Sequence, residues 1–238
     1  PLRFAPAAHG WMALQGILSY SISYVCVYYA EHYLVSGLVA VGYSASPLLN
    51  MAGMRAFFGA PMTRRVTAGA LLGIAGITLV FWPEFAHLQA ERKVAVGVAF
   101  TAAGVILASL ASLVAHRNHE AGIPLWQNLA WGMFYGAIST LAIVLARGGE
   151  FVFPVTVPYV GSLFYLAILG SILAFASYLQ LLAKVGPARA GYIGVMVPVM
   201  ALLVSSVFEG YRWSVLALAG VAVSVAGNVI ILRQPKSA

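Results

Sequence analysis

Eight apolar runs dominate the chain: 11–30, 34–58, 66–82, 94–115, 123–146, 158–183, 190–208 and 213–232. Each is long enough for a helix that crosses a bilayer. A hydrocarbon core of about 30 Å is spanned by about 20 residues of helix. Only short polar stretches separate the runs, such as GAPMTRR at 59–65 and RGGE at 147–150. None of these connections is long enough to be a soluble domain. In hydrocarbon a backbone must pair its own N–H and C=O groups, so each run is expected to be helical despite its Val and Ile content. The expected fold is an all-α membrane protein with eight transmembrane helices.

Composition points the same way. Of 238 residues 62% are hydrophobic and 8% charged. Soluble domains carry about 25% charged residues. There are six acidic residues, all Glu, so no aspartyl chemistry is available. The net charge of +7 does not suggest nucleic acid, because the basic residues sit singly or in pairs between apolar runs. Cys26 is the single cysteine and lies in an apolar run. The chain begins with Pro1 and has no secretory-signal pattern, so it reads as internal to a longer protein.

The charges orient the spans. With eight spans both ends share one side, which carries Arg3, Arg55, Arg64, Arg65, Arg117, Lys184, Arg189, Arg233 and Lys236. The other side carries only Arg92, Lys93, Arg147 and Arg212. An excess of Lys and Arg marks the cytoplasm, which places the C-terminus there; the membrane is taken to be the plasma (inner) membrane.

Self-comparison exposes a repeat. Residues 47–81 and 198–232 align without a gap at an offset of 151. Pro47 matches Pro198, Phe57 matches Phe208, Gly69 matches Gly220 and Gly76 matches Gly227. The matched pairs are five spans apart, an odd number, so the copies cross the membrane in opposite directions. Inverted repeats of this kind build many secondary transporters, with the site between the halves. The second copy has five spans over 94–233, and the first only three over 1–83. Moving position 94 back by 151 gives −57, so two further spans are expected to lie upstream of Pro1.

The stretches SASPLLNMAGMRAFFGAPMTRRVTAGALLGIAGITLVF (44–81) and VGPARAGYIGVMVPVMALLVSSVFEGYRWSVLALAGVAVSVAGNVI (185–230) resemble the drug/metabolite transporter superfamily, specifically its EamA type. The resemblance implies inverted five-helix repeats in a ten-helix transporter, here with the first two helices missing. It also implies export of a small metabolite by alternating access. In the family the first-half turn often reads Gly-Glu; here it is Gly59-Ala60.

Polar side chains on helical faces are the candidates for function. Gln15, Ser19 and Ser23 share one face of the first span, and Tyr20, Tyr24 and Tyr28 share the adjoining one. Tyr43, Pro47 and Asn50 align in the second span, and Tyr192 and Met196 precede Pro198. Thr101, Ser109 and Ser112 share a face, as do Ser171 and Tyr178. A further stripe, Gln127, Trp131, Tyr135 and Ser139, conflicts with the resemblance, which favours 158–183 over 123–146 as cavity lining. Ser23, Tyr24, Tyr43, Asn50, Ser109, Tyr178, Tyr192 and Met196 are taken as substrate-binding. Pro47 and Pro198 are taken as hinges, and Gly69, Gly76, Gly220 and Gly227 as close-packing positions within the bundle or between two copies.

The uncharged lining suggests a small neutral or zwitterionic solute such as an amino acid. No cofactor, metal or catalytic group is expected: no His-Glu-x-x-His motif occurs, and His116 and His119 have no third ligand nearby. Other readings are a sensor or assembly protein on the same scaffold, or an intramembrane enzyme.

The orientation is directly testable in a Cys26→Ala background. A thiol placed at Ala60 should react only from the cytoplasm, and one at Gly149 only from outside. Reaction of both from one side would contradict the topology.

Overall fold

The computed structural model describes residues 4–34, 36–82, 92–149, 153–208 and 213–232. Among the described residues every regular element is helical. The first span is one continuous rod: α1 (Pro6–Ile17), a π-helical turn (Leu18–Ile22) and α2 (Ser23–Glu31). Then come α3 (Ser36–Tyr43), α4 (Ser46–Phe58), α5 (Arg64–Val80), α6 (Arg92–Glu120) and α7 (Leu125–Ala146). A second rod follows the pattern of the first, with α8 (Val157–Tyr165), a π-helical turn (Leu166–Leu173) and α9 (Ala174–Val185). The chain ends with α10 (Pro187–Ala190), α11 (Ile193–Phe208) and α12 (Val215–Leu232). By length and composition, 93–120, 125–146 and 157–185 can each cross a membrane.

Two apolar runs expected to be continuous are broken. The run 34–58 stops at a turn over Ser44 and Ala45, and α4 restarts with Pro47 in its first turn. Proline suits that position because the N–H it lacks would have no helical partner there. So Pro47 starts a helix rather than bending one. The carbonyls exposed by the break are capped by hydroxyls: Ser44 Oγ donates to Val41 O at 2.6 Å, and Ser46 Oγ to Tyr43 O at 2.7 Å. A second break falls at Gly191–Tyr192, between α10 and α11, four residues short of the position that an offset of 151 from Ser44–Ala45 would give. A Cβ at Gly191 would lie 2.8 Å from Asn50 Nδ2 and 3.1 Å from Pro47 Cα, so a side chain there would crowd the start of α4. The side chain of Pro198 lies outside those described.

Three pairs of element starts recur at one spacing, while those of α4 and α11, Ser46 and Ile193, do not. Pro6 and Val157, Ser36 and Pro187, and Arg64 and Val215 all share the offset of 151 found in the sequence. The π turns also correspond, since Leu18–Ile22 maps onto positions 169–173. The matched helices α5 and α12 pack directly against each other. A Cβ at Gly227 would lie 2.6 Å from Gly69 O, and one at Gly220 would lie 2.5 Å from Gly76 O. Between them Ser224 Oγ comes within 3.5 Å of Gly73 O. Each glycine thus meets the counterpart of the other, in antiparallel order, as in a two-fold contact. Small residues permit this approach of backbone to backbone, and the face it covers lies inside the chain.

The first rod is held along its length by α6 and α7. Gly16 packs against the Gly132 backbone, and the Arg117 guanidinium lies 4.4 Å from the Trp11 ring centroid. Asn118 Nδ2 donates to Asn128 Oδ1 at 3.0 Å and to Trp11 O at 3.4 Å. Ser21 Oγ donates to Ser139 Oγ at 3.1 Å, and Arg147 bonds to Tyr29 OH. The Tyr135 hydroxyl is 2.9 Å from His9 Nδ1, and the Trp131 ring meets His9 edge-on. Three of the four residues of that stripe, Trp131, Tyr135 and Ser139, thus face the first rod. The second rod differs: nearly every residue from Val157 to Ala174 is exposed.

The glycine contact predicts an asymmetry. Gly76→Ala crowds the Gly220 carbonyl, whereas a Cβ at Gly10 meets nothing within 4 Å. Gly76→Ala should lower stability by about 1–3 kcal/mol, seen as a lower unfolding temperature in detergent. Gly10→Ala should not.

Candidate functional site

Polar side chains gather where α2, α3, α6 and α9 approach one another. Ser23 is buried, and its Oγ donates to Gly104 O at 3.2 Å. Its hydroxyl also lies 3.2 Å from Tyr43 OH. With its one proton given to Gly104 O, Ser23 accepts from Tyr43. The break after Tyr43 turns α3 away from α4 and leaves that ring aimed at α2 and α6. A Cβ at residue 104 would sit 3.0 Å from Tyr43 OH and 3.3 Å from Cys26 Cβ, so the glycine makes room for the hydroxyl.

A second hydroxyl pair lies further along α6. Ser112 Oγ donates to Ala108 O at 3.0 Å and lies 2.7 Å from Tyr178 OH. By the same proton count, Tyr178 donates to Ser112. Ser109 falls between the two pairs on α6. It is buried, and its Oγ has no hydrogen-bond partner. A buried hydroxyl without a partner costs about 1–3 kcal/mol, which a water or a bound polar group would recover.

Aromatic rings frame these hydroxyls. The Tyr20 ring meets Phe175 edge-on at 4.7 Å, and Tyr24 lies 6.4 Å from both Phe175 and Tyr28. Gln15 is buried, its Nε2 donates to Tyr20 OH at 3.3 Å, and its Oε1 has no partner. The named groups are all uncharged. They can hold a solute by hydroxyl bonds and ring faces, and they offer no general base.

Of the eight residues expected to bind substrate, Ser23 and Tyr43 pair directly, Tyr24 lies beside Phe175, Tyr178 pairs with Ser112, and Ser109 lies on α6 between the levels of the two pairs. The other three lie elsewhere. Asn50 Nδ2 donates to Pro187 O at 2.8 Å, tying α4 to α10. Tyr192 OH donates to Val66 O at 3.0 Å, tying the start of α11 to α5. Met196 packs against the core around Ala70, Ile77 and Val195. These three join residues on either side of the repeat rather than the hydroxyl pairs, although Asn50 Oδ1, like Ser109 Oγ, is buried without a hydrogen-bond partner. Sequence reasoning left out Gln15, Tyr20, Gly104, Ser112 and Phe175. Gln15, Tyr20 and Ser112 lay on the faces it identified, but Gly104 and Phe175 carried no polar signal.

An apolar groove of about 400 Å³ runs outside the cluster, lined by Leu38, Val41, Gly42, Thr101 and Val105. A second cavity, of about 490 Å³, lies at the α6–α7 loop beside His119, Gln180 and Lys184. Neither contains the hydroxyl pairs.

The profile of the EamA-like transporter family matches residues 95–233. Protein PecM of Dickeya dadantii is 25% identical over 227 residues, covering 93% of this chain and 74% of that protein. An uncharacterized transporter of Archaeoglobus fulgidus is 22% identical over 223 residues, covering 92% of this chain and 76% of that protein. A protein of known crystal structure superposes with a TM-score of 0.79 at 20% identity, covering 97% of this chain and 77% of its own, which shows the fold. The chain belongs to the EamA-like transporter family, within the drug/metabolite transporters, and is a multi-pass membrane protein of the transporter type.

The proton count predicts how two neighbouring serines differ. Ser112→Ala removes a hydroxyl that Tyr178 uses, and should lower stability by about 1 kcal/mol. Ser109→Ala removes an unpartnered hydroxyl and should leave the unfolding temperature unchanged or raise it. An equal loss in both variants would contradict this assignment.

Proposed function

We propose that this member of the family is a secondary carrier that exports a small neutral or zwitterionic solute by alternating access. The solute sits between the Ser23–Tyr43 and Ser112–Tyr178 pairs, and its polar group bonds to Ser109. The observation carrying this reading is the unpartnered, buried Ser109 hydroxyl flanked by two satisfied pairs. A polar group entering an apolar interior must recover the hydrogen bonds it had in water, and Ser109 offers one. Tyr24 and Phe175 supply ring faces for the solute body.

The recurrence of element starts at an offset of 151 and the antiparallel contact of α5 with α12 support an inverted repeat. In such carriers the site lies between halves that exchange shapes to open either side in turn. The exposed stretch Val157–Ala174 supports a ten-helix whole. Its counterpart in the first half is covered by α6 and α7, and two further helices would cover it in the same manner. The named lining residues are Ser, Tyr, Gln and Phe, a set that suits export down a gradient or by exchange better than a proton relay. The basic excess on one side orients the C-terminus to the cytoplasm of a plasma membrane.

The test is flux into liposomes containing the full-length protein, against a panel of labelled neutral amino acids. At least one should move faster than in protein-free liposomes. Ser109→Ala should weaken its half-saturation by up to about tenfold, the equivalent of one hydrogen bond of about 0.5–1.5 kcal/mol, with membrane insertion unchanged. Flux equal to that of protein-free liposomes for every solute would overturn the reading.

A further inference from the structure

The two rods carry π-helical turns at matched positions, Leu18–Ile22 in the first and Leu166–Leu173 in the second. Each turn is stitched by a side chain reaching five residues back. In the first, Tyr20 OH accepts from Gln15 Nε2 at 3.3 Å. In the second, Ser171 Oγ donates to Leu166 O at 3.0 Å. Tyr20 and Ser171 are related by the offset of 151, and so are Gln15 and Leu166. A spacing of five is out of line in an α-helix, which turns about every 3.6 residues, and comes into line in a π turn. The same irregularity, held at the same register, therefore occurs in both halves with different side-chain chemistry.

Site residues follow each turn directly. Ser23 and Tyr24 lie on the first turn of α2, and Phe175 and Tyr178 on the first two turns of α9. A π turn accommodates one residue more than an α turn, and such segments frequently occur at functional sites. If the wide turn moves along the rod, the residues it passes rotate against the helix ends, and the hydroxyls after it change direction. The two turns also differ in their surroundings and extent. The first has five residues and is pressed on α7, where a Cβ at Gly136 would meet Tyr20 Cβ at 2.8 Å. The second has eight residues and lies in the exposed stretch. Two equivalent elements in unequal states are what exchange between halves requires.

We propose that the two π turns are matched hinges, and that Gln15, Tyr20 and Ser171 are positioning residues that hold the wide turn at its observed register. This rests on the carrier reading above. Shortening a π turn by one residue closes it to an α turn while the helices on either side stay in line. Deleting Ser19 removes the hinge of the first half, and deleting Leu169 shortens that of the second. Because the halves cross the membrane in opposite directions, the two deletions should bias the protein toward opposite sides.

The experiment uses full-length protein with Cys26→Ala and a reporter thiol at Ser109→Cys, in right-side-out and inside-out vesicles. A membrane-impermeant maleimide is the probe, and the ratio of labelling rates from the two sides is the readout. Deletion of Ser19 should shift this ratio by about tenfold or more in one direction, and deletion of Leu169 by a similar factor in the other, as expected when a minor state of about 0.1–10% becomes dominant. Tyr20→Phe and Ser171→Ala remove only the stitching hydroxyls. They should shift the ratio in the same two directions, and they decide the matter if a deletion fails to insert. Unshifted ratios, or shifts in a common direction, would overturn the hinges. Flux by the parent protein with unshifted ratios counts against the hinges alone, whereas absence of flux by the parent counts against the carrier reading.

Discussion

A backbone in hydrocarbon has no water to bond with, so it must bond to itself. Nearly everything else in this chain follows from that constraint. It makes every described span a helix and limits how a helix can break, widen or approach a neighbour. Breaks, wide turns and close helix contacts each have their own device for keeping polar groups satisfied. At Ser44–Ala45 the serine hydroxyls cap the carbonyls that a continuing helix would have used. At the π turns a side chain reaches across the widened turn. At the glycine contacts between α5 and α12, removal of the Cβ lets backbones approach without losing their own bonds.

The same constraint makes an unsatisfied hydroxyl informative. Serines inside helices commonly bond back to a carbonyl one turn earlier, as Ser112 does to Ala108. Ser109, one turn from Ser112, does not. Two neighbouring serines on one helix thus differ in whether the protein itself uses the hydroxyl. Tyr43 and Tyr178 complete their serine partners, while the Ser109 hydroxyl has no partner within the protein. The other inter-element hydrogen bonds hold the frame. Asn50 on Pro187 O and Tyr192 on Val66 O fasten elements of one half to elements of the other.

The helical character of the runs was legible in the sequence because hydropathy acts over the length of a membrane, and three of them, over 93–120, 125–146 and 157–185, are long and apolar enough to cross one. The recurrence at an offset of 151 was legible too, through residues with backbone consequences such as Gly69 and Gly76. The breaks were not. The run 34–58 stays apolar across Ser44–Ala45, and Pro47 reads equally as a kink or as a first-turn residue. The π turns were also hidden, since a spacing of five matters only once the helix has widened. For the site, periodicity marked the faces of α2, α6 and α9 on which the hydroxyl pairs are found. It could not tell a face turned to a cluster from one turned to a seam, which is why Asn50 and Tyr192 were grouped with Ser23. Trp131 and Tyr135 looked as good as any cavity stripe until His9 and α1 were seen against them. Phe175 and Gly104 matter through shape, and shape leaves no polar signature.

The central claim is that a solute sits between the two hydroxyl pairs and bonds where Ser109 stands. Solute protection of a thiol at that position tests it most directly. In full-length protein with Cys26→Ala and Ser109→Cys, alkylation is timed with and without a saturating neutral amino acid that the parent protein transports. The account predicts slower alkylation with the solute present, from whichever side the reagent is added, and no slowing for a thiol at Gly10. Equal alkylation of the Ser109→Cys thiol with and without solute would contradict it.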